Sequence, residues 1–146
     1  MVILDTETII KDRLLYSARG AGIRGFLQFG YDPLFLFSED MSFDMNKLRD
    51  YLIKHKDKPI LCFGFTSIVW LNFVTFLEKQ HIKLELPESI LIHGGGWKKM
   101  EDYAVTKEDF KKKIYNVLGI KKVFNFYGMA EQVGSIYFEN DHNFFS

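Results

Sequence analysis

The order of apolar runs and turn signals along the chain predicts an α/β fold, with a mostly parallel sheet flanked by helices. Residues 60–63, 89–93 and 122–126 are short apolar runs with the length and composition of buried strands. Segments with helical periodicity separate these runs, and such alternation favours parallel strands joined by right-handed crossovers. We therefore expect successive strands to end at one edge of the sheet, where open α/β sheets bind ligands.

The first 58 residues predict a mainly helical lead-in to this sheet. Apolar residues recur at helical spacing over residues 5–18, with Asp5 or Thr6 as the N-cap, and three closely spaced glycines then end the helix. A short strand is expected at residues 34–37. Asp44 is predicted to cap a second helix, which a charged turn follows.

Residues 59–146 predict a β/α core that carries the ligand loops. A largely apolar helix is expected at residues 67–80, between the first two core strands. Thr106 opens an amphipathic helix, Gly119 ends it in the left-handed conformation, and Lys111 to Lys113 are assigned to its outer face. A last strand is expected at residues 135–139. Residues 1–146 together have the length of a single domain.

Composition excludes several classes of function. The chain has 19 Lys+Arg against 19 Asp+Glu, and this zero net charge offers no field for nucleic acid or for an anionic membrane. Cys62 is the single cysteine, which excludes an intramolecular disulfide and a thiolate metal cluster. No leader or membrane-spanning segment is apparent. We expect a cytoplasmic protein without a membrane span.

Two glycine motifs match known sites but lack the required context. Gly20, Gly22 and Gly25 have the spacing of a dinucleotide fingerprint, yet a predicted helix rather than a strand precedes them. We interpret them as a flexible helix end or a place where backbones pack closely. The segment from His93 to Trp97 looks like the oxyanion loop of esterases. A serine hydrolase is disfavoured because the segment around Ser135 lacks the second glycine of a nucleophile elbow.

The loops that follow two of the predicted strands point to nucleotide recognition. Gly94, Gly95 and Gly96 follow one strand and leave the backbone open to a ligand. Tyr127 follows the other strand and offers an aromatic face, and Glu131 offers a carboxylate that could hold a cation. Parallel strands would bring both loops to the same edge.

These two loops carry a family resemblance. The segment from Tyr127 to Glu131 resembles the Tyr-Gly-x-Thr/Ala-Glu element of adenylate-forming enzymes, and the three glycines stand where that superfamily places its adenine-side loop. More narrowly, residues 91–98, 107–110 and 133–139 resemble the acyl-protein synthetase of bacterial luminescence, a long-chain-fatty-acid–luciferin-component ligase. The resemblance covers about residues 59 to 141.

The resemblance implies an ATP- and Mg²⁺-dependent ligase that converts a carboxylic acid, such as a long-chain fatty acid, into acyl-AMP and transfers the acyl group. The acceptor would be an acyl-transfer or reductase partner protein. The fold would be part of the large N-terminal domain of adenylate-forming enzymes. Glu131 would bind Mg²⁺ and Tyr127 would stack on adenine, while no catalytic residue is assigned. The other implied nucleotide-binding residues are Gly94, Gly95, Gly96, Gly128, Met129 and Ala130.

Two elements that adenylate-forming enzymes carry do not occur in this sequence, and their absence leaves more than one function open. The Ser/Thr/Gly-rich phosphate loop and the lysine-bearing C-terminal domain are both missing, so we expect the central portion of a longer ligase, with little adenylation activity by itself. The alternative is a non-catalytic nucleotide-binding or protein-interaction domain. Without a ligand site, Tyr127 would be an interior aromatic residue that ends a strand, and Glu131 a solvated acid in a loop. His93 fits a satisfied strand-end histidine. Either an acyl pocket or a plain core would account for four phenylalanines: Phe63, Phe65, Phe73 and Phe76.

Overall fold

A single sheet forms the centre of the computed structural model, which describes residues 1–11, 17–128, 136–139 and 144–145, with the backbone alone at 98–100 and 144–145. Its strand order is β2-β1-β3-β4-β5-β6-β7. Strands β1 to β5 run parallel to one another. Strand β6 pairs antiparallel with β5, and β7 pairs antiparallel with β6. The strands are β1 (Val2–Thr6), β2 (Leu34–Phe37), β3 (Leu61–Phe65), β4 (Ile90–Gly94), β5 (Lys122–Gly128), β6 (Ile136–Glu139) and β7 (Phe144–Phe145).

Helices connect the parallel strands. The helices are α1 (Thr8–Lys11), α2 (Ala18–Phe26), α3 (Met45–Lys54), α4 (Thr66–Ile68), α5 (Thr75–Lys79) and α6 (Lys107–Leu118). A π-helical stretch, Val69–Val74, joins α4 to α5. Two 3-10 segments, Leu27–Phe29 and Lys98–Tyr103, complete the connections. Every helix within the described ranges is too short or too polar to traverse a bilayer.

Local sequence signals account for the ends of the main helices. The side chain of Asp44 accepts a hydrogen bond from the backbone N–H of Asn46 and so caps α3. Thr106 caps α6 in the same way, through the N–H of Asp109. Gly119 ends α6 with φ of 69°, a left-handed conformation that glycine adopts without steric cost. All three predicted helix boundaries are confirmed.

The helical lead-in is the main correction to the predicted fold. Val2–Thr6 forms a fully buried strand between β2 and β3, so Asp5 and Thr6 belong to the sheet and do not cap a helix. Gly20 and Gly22 lie within α2, where a Cβ on Gly20 would lie 2.8 Å from the carbonyl oxygen of Ile9. Gly20 therefore allows close packing of backbones, one of the two roles expected for these glycines.

The two faces of the sheet bury separate hydrophobic clusters. Helices α3 and α6 and the helical segment from α4 to α5 cover one face, where Leu4, Cys62 and Leu91 pack against Val69 and Ile114. Helix α2 covers part of the other face. An α/β fold with a mostly parallel sheet and helices on both faces is thereby confirmed.

Candidate functional site

A cavity of about 230 Å³ lies where β4 and β5 end, beside the N-terminal end of α6. This volume is below the ~300–1,000 Å³ of pockets that enclose a whole small ligand. The cavity therefore has room for one ring-sized part of a ligand. Its lining includes Thr66, His93, Gly96, Trp97, Phe110 and Asn125.

The register of the sheet places the ends of β4 and β5 side by side. His93 of β4 is paired with Asn125 of β5, and both side chains line the cavity. Tyr127 lies two residues beyond Asn125, so it points to the same face of the strand, and it is 53% exposed. Gly128 ends β5 opposite Ile136 of β6. Tyr127 itself does not line the cavity, but it lies on the same face of β5 as the lining residue Asn125.

The three glycines differ in their surroundings. Gly94 lies within β4, and a Cβ there would lie 2.6 Å from the backbone oxygen of Phe126. Gly95 and Gly96 have φ of 78° and 60°, in the left-handed region that favours glycine. A Cβ on Gly96 would meet no described atom within 4 Å. Gly94 therefore makes room for Phe126, whereas Gly96 leaves open space at the cavity.

Three residues of the predicted nucleotide motif lie outside the described residues. They are Met129, Ala130 and Glu131. Their roles in binding phosphate and Mg²⁺ stay predictions. Ser135, the serine considered for the disfavoured serine hydrolase, also lies outside the described residues. Among the described residues, no cluster of three or more His, Cys, Asp or Glu side chains could hold a metal ion.

His93 is a buried side chain on the wall of the cavity. It is 7% exposed, and its Nδ1 lies 2.9 Å from the hydroxyl of Thr66, which donates to the carbonyl oxygen of Gly94 at 3.0 Å. Burial, with a smaller contribution from the charge of Lys111, lowers the pKa of His93 to about 3. A group with this pKa is too weak a base for general-base catalysis near neutral pH.

No carboxylate of the described residues bonds to His93, so His93 has no orienting acid there and does not form a Ser-His-Asp arrangement with described residues. The Phe110 ring stacks on the imidazole at a centroid distance of 4.3 Å. The expectation of a satisfied strand-end histidine agrees with the hydrogen bond at Nδ1, and no side-chain nitrogen or oxygen of the described residues is buried without a partner. Nε2 makes no hydrogen bond to any residue that the structure describes.

Charged side chains of α6 reach the cavity and its surroundings. Lys107 forms an ion pair with Glu139, which ties the start of α6 to β6. Lys111 also lines the cavity, and Lys113 lies 4.2 Å above the ring of Trp70. The assignment of these lysines to an outer face is therefore wrong for Lys111 and Lys113, because both are half-buried.

Aromatic rings form the apolar side of the cavity. Trp97 lines it and lies edge-on to Trp70, with ring centroids 5.9 Å apart. Trp70 belongs to the π-helical stretch and stacks on Phe110 at 5.6 Å. The four phenylalanines expected either in an acyl pocket or in the core do not line this cavity, and three of them are buried core residues: Phe63, Phe65 and Phe73.

Sequence reasoning did not identify Thr66, Asn125 or Lys111 as site residues. Asn125 had a usable signal, because strand alternation places it on the same face as Tyr127. Thr66 follows the end of β3, and only the pairing of β3 with β4 brings its hydroxyl to His93.

The buried His93 is expected to make the protein less stable in acid. Below pH 6.5 the unfolded chain binds a proton at this residue while the folded chain does not, until the pH reaches the folded pKa of about 3. Between pH 7 and pH 4.5 the free energy of unfolding of the unsubstituted protein should fall by about 2–3 kcal/mol more than that of His93→Phe. Urea unfolding at both pH values measures the difference, and equal losses would contradict the burial of a neutral imidazole.

The fold and the cavity define an α/β protein with a candidate ligand site at the carboxyl edge of a mostly parallel sheet. A family model described as acyl-protein synthetase, LuxE, matches residues 15–144, and the chain belongs to that family. This match confirms the resemblance found in the sequence and supports an acyl-protein synthetase-like function at the level of the family. Comparison with curated proteins and with solved structures found no match.

Proposed function

We propose that the chain binds the adenosine part of ATP and of an acyl-adenylate at the edge formed by β4 and β5. The proposed reaction is the activation of a carboxylic acid by ATP: a carboxylate oxygen attacks the α-phosphorus of ATP, pyrophosphate leaves, and acyl-AMP forms. A nucleophile of a partner protein then attacks the acyl carbonyl, and AMP leaves. The family membership supports an acyl substrate and an acyl-transfer partner.

The convergence of the two strand ends on one ring-sized cavity is the observation that carries this proposal. A purine ring fits the size of the cavity, and its lining offers polar groups at His93 and Asn125 to the edge of such a ring. The exposed face of Tyr127 is suited to stacking on a base, which contributes about 1–3 kcal/mol. The open backbone at Gly96 admits the ligand from the other side.

The ribose and phosphates would extend from the cavity along the end of β5. This direction leads to Gly128 and to the segment that carries Met129, Ala130 and Glu131. Backbone N–H groups there would meet phosphate, and the Glu131 carboxylate is a hard oxygen ligand suited to Mg²⁺. The joining of two anions at phosphorus depends mainly on alignment and charge neutralisation, which these groups would supply.

Binding of a stable acyl-adenylate analogue tests the proposal. We expect 5′-O-(N-dodecanoylsulfamoyl)adenosine to bind the chain in calorimetry, and Tyr127→Ala to weaken its affinity about tenfold because the stacking face is lost. Tyr115→Ala is the matched control, since Tyr115 is a similarly exposed tyrosine that lies on α6 and not at the end of β5. Its affinity should equal that of the unsubstituted protein.

A second arm measures ATP binding with and without Mg²⁺. Glu131→Ala should abolish the strengthening of ATP binding by Mg²⁺ and leave binding of the sulfamoyl analogue unchanged. If neither ATP nor the analogue binds, the proposal is wrong and a protein-interaction domain is the better description. Equal effects of Tyr127→Ala and Tyr115→Ala would place the ligand elsewhere.

A further inference from the structure

A chain of two hydrogen bonds determines which nitrogen of His93 carries the proton. The hydroxyl of Thr66 has one proton, and this proton goes to the carbonyl oxygen of Gly94. Thr66 must then accept at its contact with Nδ1 of His93, 2.9 Å away, so Nδ1 is the protonated nitrogen. Nε2 consequently carries a lone pair.

Nε2 makes no hydrogen bond within the described part of the chain, and no side-chain nitrogen or oxygen there is both fully buried and unpaired, so Nε2 keeps contact with the open cavity. A ligand that fills the cavity cuts Nε2 off from water, and leaving this acceptor unpaired then costs about 1–3 kcal/mol. His93 lines the cavity. A ligand that fills the cavity with an N–H group beside Nε2 would remove this cost.

The residues around His93 hold the orientation of its imidazole ring and oppose a second proton on it. Phe110 stacks on it, with the two ring planes 30° apart, and so holds its orientation. The other charged groups that line the cavity are Lys107, Lys111 and Glu139, of which Lys107 and Glu139 pair with each other. Burial and Lys111 both oppose a second proton on the imidazole. Nε2 of His93 therefore stays an acceptor at neutral pH.

We propose that Thr66 fixes the tautomer of His93, so that Nε2 of His93 is a hydrogen-bond acceptor in the cavity. This tautomer-fixed acceptor makes the cavity bind a ligand ring with an N–H donor more tightly than the same ring without one. His93 is the specificity-determining residue, and Thr66 is the positioning residue. The inference rests on the proposed function, in which the ring is adenine and the donor is its exocyclic amine. Purine riboside, in which hydrogen replaces that amine, is the matching ligand without the donor.

Two measurements on the unsubstituted protein test this selection. Nitrogen-15 NMR of the histidine rings should show the proton of His93 on Nδ1. The dodecanoylsulfamoyl derivative of adenosine should bind about tenfold to a hundredfold more tightly than the same derivative of purine riboside, because the latter leaves Nε2 unpaired. Neither result depends on a variant that could fail to fold.

Three variants assign the selection to this pair. His93→Phe removes the acceptor and keeps a ring against Phe110, so the preference for adenosine should fall to about twofold or less. Thr66→Val removes the hydroxyl that holds the tautomer and should lower the preference and shift the NMR signals towards the Nε2–H form. Thr66→Ser keeps the hydroxyl and should retain both the preference and the tautomer.

Each contrary outcome has a separate meaning. Equal binding of the two derivatives overturns the selection and leaves the proposed function standing. A proton on Nε2 in the unsubstituted protein overturns the tautomer-fixed acceptor whatever binds. If neither derivative binds, the proposed function fails and the selection fails with it.

Discussion

Replacement of Arg19 by methionine is expected to lower the free energy of unfolding by about 3–5 kcal/mol. Asp5 of β1 is fully buried, and its carboxylate accepts a hydrogen bond from Nε of Arg19 at 2.6 Å and a second from the terminal guanidinium nitrogen. The backbone N–H of Thr6 donates to the same carboxylate at 2.7 Å. Without the guanidinium, a buried carboxylate has no counter-charge in the described structure, and this is why the loss is large.

Urea unfolding at pH 7 measures the effect, and two variants serve as controls. Lys11→Met breaks an exposed ion pair with Glu7 and should change the free energy of unfolding by less than about 1 kcal/mol. The double variant Asp5→Asn with Arg19→Met removes both charges and should recover a large part of the loss. A loss below about 1 kcal/mol in Arg19→Met would show that the pair does not stabilise the fold.

Replacement of Gly94 by alanine is expected to destabilise the protein by about 1–3 kcal/mol and to weaken binding at the cavity as well. The new Cβ would lie 2.6 Å from the backbone oxygen of Phe126, so β4 and β5 must move apart. These two strands carry His93 and Asn125, and their separation would change the shape of the cavity. Thermal unfolding and calorimetry with the sulfamoyl analogue measure the two effects.

Gly96→Ala is the matched control, since Gly96 has open space around a Cβ. Its φ of 60° makes alanine unfavourable by about 1 kcal/mol, so a smaller loss of stability is expected. If Gly96→Ala is the more destabilising of the two, the close contact between Gly94 and Phe126 does not limit the packing of β4 on β5.

Local signals predicted many of the elements. Asp44, Thr106 and Gly119 act within a few residues of their own position, so their capping roles can be read from the chain. The same signals misled at Asp5, which has the residue type and position of an N-cap. Its burial depends on Arg19, 14 residues away, and on the strands that flank β1, none of which a local pattern contains.

The residues of the candidate site also fall into two groups: those that local sequence predicts and those that depend on distant parts of the chain. Gly96 and Tyr127 were predicted because glycine and tyrosine at strand ends are informative by residue type. Thr66 and Asn125 were not found, because their position beside His93 depends on the register of β3, β4 and β5. Register is a long-range property, and one-residue slips would turn these side chains to the other face.

The amino-acid sequence by itself determined the α/β class, the family and the pair of strand-end loops, because periodicity, caps and motifs are local. The tertiary structure decided that Val2–Thr6 is a central strand and that Gly94 accommodates Phe126. It also decided that His93 is buried beside Thr66 in the wall of the cavity, where burial lowers its pKa. Burial and strand register are the physical reasons, since both arise from contacts between residues far apart in the chain.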